Sequence, residues 1–143
     1  MSFVTASPAA VSRTFVRPPC AQDGAPSPVA ATGAPLNWAV VATGSIARTV
    51  TADIALLEDA VLYAVSSRNA ARAAGFADRF GFETSYSDAD GGPSGFEAMF
   101  ADPAVDVVYI ATPHAQHYEV ARSALEHGKH VLCEKPLTVN AAE

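Results

Sequence analysis

The chain has 143 residues and a formal net charge of −6, and half of its residues are hydrophobic. Thirty of those are alanine, which suits a single core with Ala-rich helices and excludes a wholly disordered chain. The acidic balance argues against sequence-independent nucleic-acid binding, which needs clustered Lys and Arg. No apolar run reaches the roughly 18–20 residues that span a bilayer, so a membrane-spanning protein is excluded as well.

Residues 1–35 hold six of the ten prolines and only Arg13, Arg17 and Asp23 as charges. Without a sustained period of 2 or 3.6, this stretch reads as a disordered leader. A secretory signal would need a basic start followed by an apolar core, and a transit peptide would need an amphipathic helix. An inert tail, or a start assigned too far upstream, is the expectation.

Regular patterning begins at Leu36. Leu36–Ala42 is a short apolar run read as a buried strand. Gly44–Glu58 follows as a helix whose apolar stripe is Ile46, Val50, Ile54 and Leu57. Ala60–Ser66 is a second strand, and Asn69–Phe80 a helix stopped by Gly81. Thr84–Tyr86 is at most a short strand, and a glycine-rich loop leads to a short helix near Ser94–Ala101. Val105–Ala111 carries the clearest strand signal. A helix then runs from about His114 to His127, with Gly128 in the place of a left-handed cap. His130–Glu134 is a fifth strand, and Thr138 has the character of an N-cap for one more helix.

Strands alternating with helices imply right-handed crossovers and a parallel sheet covered on both faces. The expected fold is a Rossmann-type doubly wound α/β domain over residues 36–143, with five strands. Its ligands belong at the carboxyl ends of those strands.

Four of these ends carry chemistry. Ala42, Thr43, Gly44, Ser45 and Ile46 lie in the turn ATGSIA. Gly44 and Ala47 fill the second and third positions of a dinucleotide fingerprint, and Ala42 stands in place of the first glycine. The amides of Ser45 and Ile46 would face a pyrophosphate; an ordinary strand-to-helix turn would read alike. After the second strand, Ser67 and Arg68 occupy the place where an NAD site has an acid for the ribose 2′-hydroxyl. No acid lies between Asp59 and Asp78. A guanidinium suits a 2′-phosphate, which favours NADP over NAD, the alternative being a solvated helix-start arginine. After the fourth strand, Thr112 and Pro113 shape a turn, with His117 as a cofactor contact or a packing residue. After the fifth, Glu134 and Lys135 form a charged pair, either an exposed ion pair or the site of a hydrogen-bond donor to substrate oxygen.

Cys20 and Cys133 make neither a disulfide framework nor a zinc site and fit a reducing, cytoplasmic setting. The histidine pairs at 114/117 and 127/130 lack a completing ligand, so no metal is expected.

With WAVVATGSIA, AVSSR, VDVVYIATPHAQHYE and HVLCEKPL in order, the sequence resembles the Gfo/Idh/MocA oxidoreductases (glucose-fructose oxidoreductase, inositol dehydrogenase, rhizopine catabolism). Within that family it is most similar to the NADP-dependent dihydrodiol and xylose dehydrogenase branch. The resemblance implies hydride transfer between nicotinamide and a carbinol carbon of a sugar, polyol or dihydrodiol. It maps the family's catalytic lysine onto Lys135, the cofactor turn onto Ala42–Ala47, and the nicotinamide-side loop onto Thr112, Pro113 and His117. It also implies a C-terminal α/β domain that holds the small-molecule substrate and supports homo-oligomerisation. That domain, a sixth strand and the family's catalytic histidine fall beyond Glu143. The expectation is therefore a cofactor-binding portion inactive by itself, the alternative being a non-catalytic NADP-binding or partner-binding module.

Overall fold

A computed structural model describes residues 33–88 and 92–142; the leader reading for residues 1–35 falls outside them except at its last three residues. The elements are β1 (Leu36–Val41), α1 (Ser45–Ile54), β2 (Ala60–Ser67), α2 (Ala70–Phe80), β3 (Thr84–Ser87), α3 (Gly95–Phe100), β4 (Val107–Ile110), α4 (His117–Glu126) and β5 (His130–Cys133). The strands form one parallel sheet in the order β3-β2-β1-β4-β5. The chain winds outward from β1 in one direction, then returns and winds outward from β4 in the other. The switch between β1 and β4 is where such sheets open a ligand crevice.

Alternation along the strands separates two cores. Val40, Val65 and Tyr109 pack with Ala47, Ile54, Phe76 and Ala77 of α1 and α2. Ala39, Val41, Ala64, Val108 and Ile110 pack with Met99, Phe100, Val120 and Ala124 of α3 and α4. Consecutive residues thus serve opposite faces, as a doubly wound sheet requires. A register shift at Trp38/Ala39 leaves Tyr63 as the extra residue of β2. The bulge turns Tyr63 toward the α3/α4 side together with Ala64.

Local signals account for the helix ends. Asn69 caps α2 by accepting from the Arg72 amide at 3.0 Å, and Gly81 ends it at φ 80°. Ser94 and Glu97 form a reciprocal capping box at α3. Gly128 adopts φ 73° after α4. A Cβ on Gly95 would lie 2.7 Å from the Ser87 backbone, so α3 can start there only with glycine. Its amide also donates to Asp88 Oδ1 at 2.8 Å.

Two polar bolts close the amino-terminal end of the sheet. The Asn37 amide donates to Asp106 at 2.8 Å and its carboxamide donates to the Ala104 carbonyl at 2.8 Å. Lys129, buried, donates its ammonium to the carbonyls of Asp102 and Val105 at 2.7 and 2.9 Å. Nearby, Asp102 Oδ2 accepts from Tyr63 at 2.9 Å and Tyr86 at 2.7 Å, and Oδ1 accepts from the Ala104 amide. The Tyr86 bond leads the causes that hold this carboxyl below its ordinary value. Burial, then the same bond, pushes the Tyr86 phenol up to about 12.

Three expectations need correcting. Helix α1 ends at Ile54 rather than Glu58, and it buries Ala47, Thr51 and Ile54 while Ile46 and Leu57 stay about half exposed. Small residues at 47 and 51 let the helix sit close to the sheet, so the buried stripe shares only Ile54 with the expected series. The helix expected from His114 opens as a 3₁₀ turn, His114–Gln116, and becomes α-helical at His117. Thr138 caps no helix among the described residues: its hydroxyl donates to the Asn140 carbonyl at 3.2 Å, and Asn140 Oδ1 accepts from the Ala142 amide. The threonine acts as a donor in a turn, where a cap would have to accept.

Candidate dinucleotide site

Strand register brings the expected site segments to one end of the sheet. Val41 lies opposite Ser66 and Ile110, and Ile110 opposite Cys133. The residues just beyond, Ala42–Ile46, Ser67–Arg68, Thr112–Pro113 and Glu134–Lys135, therefore emerge side by side. Ladder bonds continue past the strands: Ala42 donates to the Ser66 carbonyl at 2.9 Å, Ala111 to Val41 at 3.1 Å and Glu134 to Ile110 at 3.1 Å.

The turn after β1 is shaped for close approach. Ala42 has φ 81°, the one positive value at a non-glycine residue among those described, so the position does demand the conformation that glycine adopts freely. Gly44 is the N-cap of α1 and makes no side-chain cap bond, and the first turn carries no acid. A Cβ built on Gly44 would find nothing within 4 Å. An open space thus adjoins a helix N-terminus whose first amides have no side-chain cap, the arrangement that accepts an anion. Ala47, wholly buried, gives α1 its tight seat on the sheet.

Arg68 is exposed at the end of β2 and makes no hydrogen bond or ion pair among the described residues; Ser67 beside it is half-buried. On the other side of the switch, Thr112 Oγ1 is buried and has no hydrogen-bond partner among the described residues. Pro113 is exposed and its carbonyl accepts from Gln116 at 2.9 Å.

His117 is 0% exposed. Its Nδ1 lies 2.6 Å from the Pro136 carbonyl oxygen and its Nε2 2.9 Å from that of Thr112. The ring therefore sits beneath the loops and offers no open edge to a ligand. His114 packs edge-on against it at 5.5 Å. Among the described residues no three His, Cys, Asp or Glu side chains gather as a metal site.

Glu134 is held by a residue the sequence reading passed over. Tyr109, 1% exposed in the middle of β4, donates its phenol to Glu134 Oε1 at 2.6 Å. Burial, then this bond, raises the Tyr109 phenol above its ordinary value. The available signal was a lone tyrosine in an otherwise aliphatic strand, VVYI. Burial also raises the Cys133 thiol, which keeps it protonated and unsuited to nucleophilic work. Lys135 is exposed and unpaired among the described residues, one residue before Pro136, whose carbonyl lies 2.6 Å from His117 Nδ1.

The residues fit a dinucleotide: a bare glycine and uncapped amides for phosphates, a guanidinium at the ribose end, and a hydroxyl and an ammonium across the switch, the last three unpartnered among the described residues.

Residues 36–143 match the family described as oxidoreductase family, NAD-binding Rossmann fold. The chain is 39% identical over 110 residues to mouse trans-1,2-dihydrobenzene-1,2-diol dehydrogenase, covering 76% of itself and 31% of that protein. It superposes on a 3-ketoreductase from Actinomadura kijaniata, solved with TDP-benzene and NADP, with a TM-score of 0.67 at 33% identity; 76% of this chain and 32% of that one are covered. It also superposes on Lactobacillus casei scyllo-inositol dehydrogenase, solved with NAD(H) and scyllo-inositol, with a TM-score of 0.64 at 27% identity, covering 74% and 29%. The chain thus spans about a third of the length of the proteins it matches. Fingerprint turn, strand order and sequence agree, and the chain belongs to the Gfo/Idh/MocA oxidoreductases, of which it carries the NAD(P)-binding Rossmann domain.

Proposed function

We propose that this chain is the cofactor-binding portion of an oxidoreductase that uses NADP in preference to NAD, and that the substrate is a small sugar, polyol or dihydrodiol. The observation that carries the reading is the convergence of the Gly44 turn, Arg68, Thr112 and Glu134–Lys135 at one end of the sheet.

The bound nicotinamide would supply or accept the hydride. The chain's own residues would do the rest. Amides of Ser45 and Ile46 hold the pyrophosphate, the space above Gly44 allowing contact without a side chain between. Arg68 meets the 2′-phosphate, with Ser67 beside it. Thr112 and Pro113 bound the nicotinamide side, and the Glu134 carboxylate, steadied by Tyr109, faces the same crevice. Lys135 would donate a hydrogen bond to the substrate oxygen, stabilising the alkoxide charge that this oxygen carries before hydride leaves the adjoining carbon and gains when hydride arrives there. The relatives, a dihydrodiol dehydrogenase, a ketoreductase and an inositol dehydrogenase, support the carbinol–carbonyl chemistry and the substrate class.

Fluorescence titration with NADPH and NADH tests the reading. NADPH is expected to bind more tightly, and Arg68→Ala should weaken NADPH by about 10-fold or more, the worth of a charge-assisted hydrogen bond, while leaving NADH nearly unchanged. Equal affinity of the wild type for both, or a folded chain that binds neither, would sink it.

A further inference from the structure

We infer that Tyr109 and His117 are positioning residues that grip the chain immediately before and after Lys135 and fix where its ammonium stands. The inference rests on the reading of Lys135 as the donor to substrate oxygen.

Lys135 is exposed, without hydrogen bond or ion pair among the described residues, and a four-carbon stem on a loop would ordinarily sample many positions. Its neighbours are fastened. Glu134 is tied twice, by its amide to the Ile110 carbonyl at 3.1 Å and by its carboxylate to the Tyr109 phenol at 2.6 Å. Pro136 is tied by its carbonyl to His117 Nδ1 at 2.6 Å. The second nitrogen of the same ring lies 2.9 Å from the Thr112 carbonyl; a neutral imidazole has one N–H and donates to one carbonyl, here the nearer one of Pro136, so the ring stands packed between the loop after β5 and the turn after β4. Every anchor is on β4, in the turn directly after it, or on the helix that the turn begins.

Neither polar side chain is explained by packing. Tyr109 lies between buried Val108 and Ile110, where phenylalanine would fill the same core without a hydroxyl to satisfy. A buried phenol without a partner carries an uncompensated desolvation cost, and the partner it finds is the residue before Lys135. His117 is likewise wholly enclosed, at a helix start where an apolar residue would cover the sheet equally well. Both place their polar atoms on the two sides of one lysine.

The test uses backbone ¹⁵N relaxation of the 143-residue chain, with thermal melts and an NADPH titration in parallel. In the wild type the Lys135 amide should be as ordered as the sheet, with an order parameter of about 0.85. Tyr109→Phe, which keeps the ring in the core, should drop it toward about 0.6 while amides of β1 and β2 stay unchanged. For His117, the two carboxamide variants separate its contacts. Asparagine places its amide near the Nδ1 position and should retain the Pro136 grip and the order at Lys135. Glutamine reaches the Nε2 position, can donate to the Thr112 carbonyl but not to that of Pro136, and should lose that order. A Lys135 amide already mobile in the wild type, or order unmoved by Tyr109→Phe and His117→Gln in folded samples, would overturn the inference. Failure of NADPH to bind would count against the functional reading alone, because the relaxation data stand without ligand.

Discussion

Ala42 shows how a single departure from a motif is absorbed. Its φ of 81° is one that an L-residue holds at about 1–2 kcal/mol, and glycine would relieve it while losing about 0.4–1 kcal/mol to greater freedom of the unfolded chain. The net expectation for Ala42→Gly is a gain of about 0.5–1 kcal/mol, read as a rise of a few degrees in the melting midpoint. The fold-determining half of the motif is thus legible from residue types alone, because positive φ, bare backbone and close helix seating each require particular small side chains. Tyr109 and His117 were less legible. Their roles depend on partners 25 and 19 residues away in sequence, and no local spacing encodes a contact made across a sheet.

Among the elements, α3 and its flanks depend most on specific contacts. Gly95→Ala would force a Cβ to within 2.7 Å of the Ser87 backbone, which can give way only by moving β3 or the helix; a loss of about 1–3 kcal/mol is expected in denaturant unfolding. Asp102 joins the end of α3 to β2 and β3 through Tyr63 and Tyr86. Its carboxyl is held below the ordinary 3.8, so its contribution is complete above that value and is lost as pH falls through the depressed folded one. The Tyr86 phenol, raised to about 12, contributes below its ordinary value of 10 and loses that contribution as pH climbs through 12. Asp102→Asn should therefore lower stability at neutral pH and flatten the acid limb of a stability-versus-pH curve; an acid limb identical to the wild type would refute this. Element type was readable for the five strands and four α-helices, the exceptions being His114–Gln116, which is a 3₁₀ turn, and Thr138, which caps no helix among the described residues. The buried stripe of α1 was not, since the alanine and threonine that face the sheet carry less hydrophobic signal than the exposed Ile46 and Leu57.

For the molecule as a whole, the proposed ligand joins segments from four of the five strand ends, so binding should be felt as global stabilisation. At NADPH a hundredfold above its dissociation constant, mass action adds about 2.7 kcal/mol, and the melting midpoint should rise with NADPH concentration and rise less with NADH. An unchanged midpoint at saturating NADPH would contradict a site built across the sheet. The α/β class and the strand-end location were legible because alternation of strands and helices leaves few topologies. The order of the strands about the β1/β4 switch came only from the register.

The two ends of this sheet have been given separate duties. Asn37 with Asp106 and Lys129 with the Asp102 and Val105 carbonyls fasten the amino-terminal end, while the ligand groups stand at the carboxyl end. On the proposed reading, sequence change can therefore drift on two independent tracks: replacements at the fastened end would alter durability and leave cofactor choice alone, and replacements such as those at Arg68 would retune cofactor choice without unsettling the scaffold. A domain divided in this way can be hardened first and have its specificity altered afterwards.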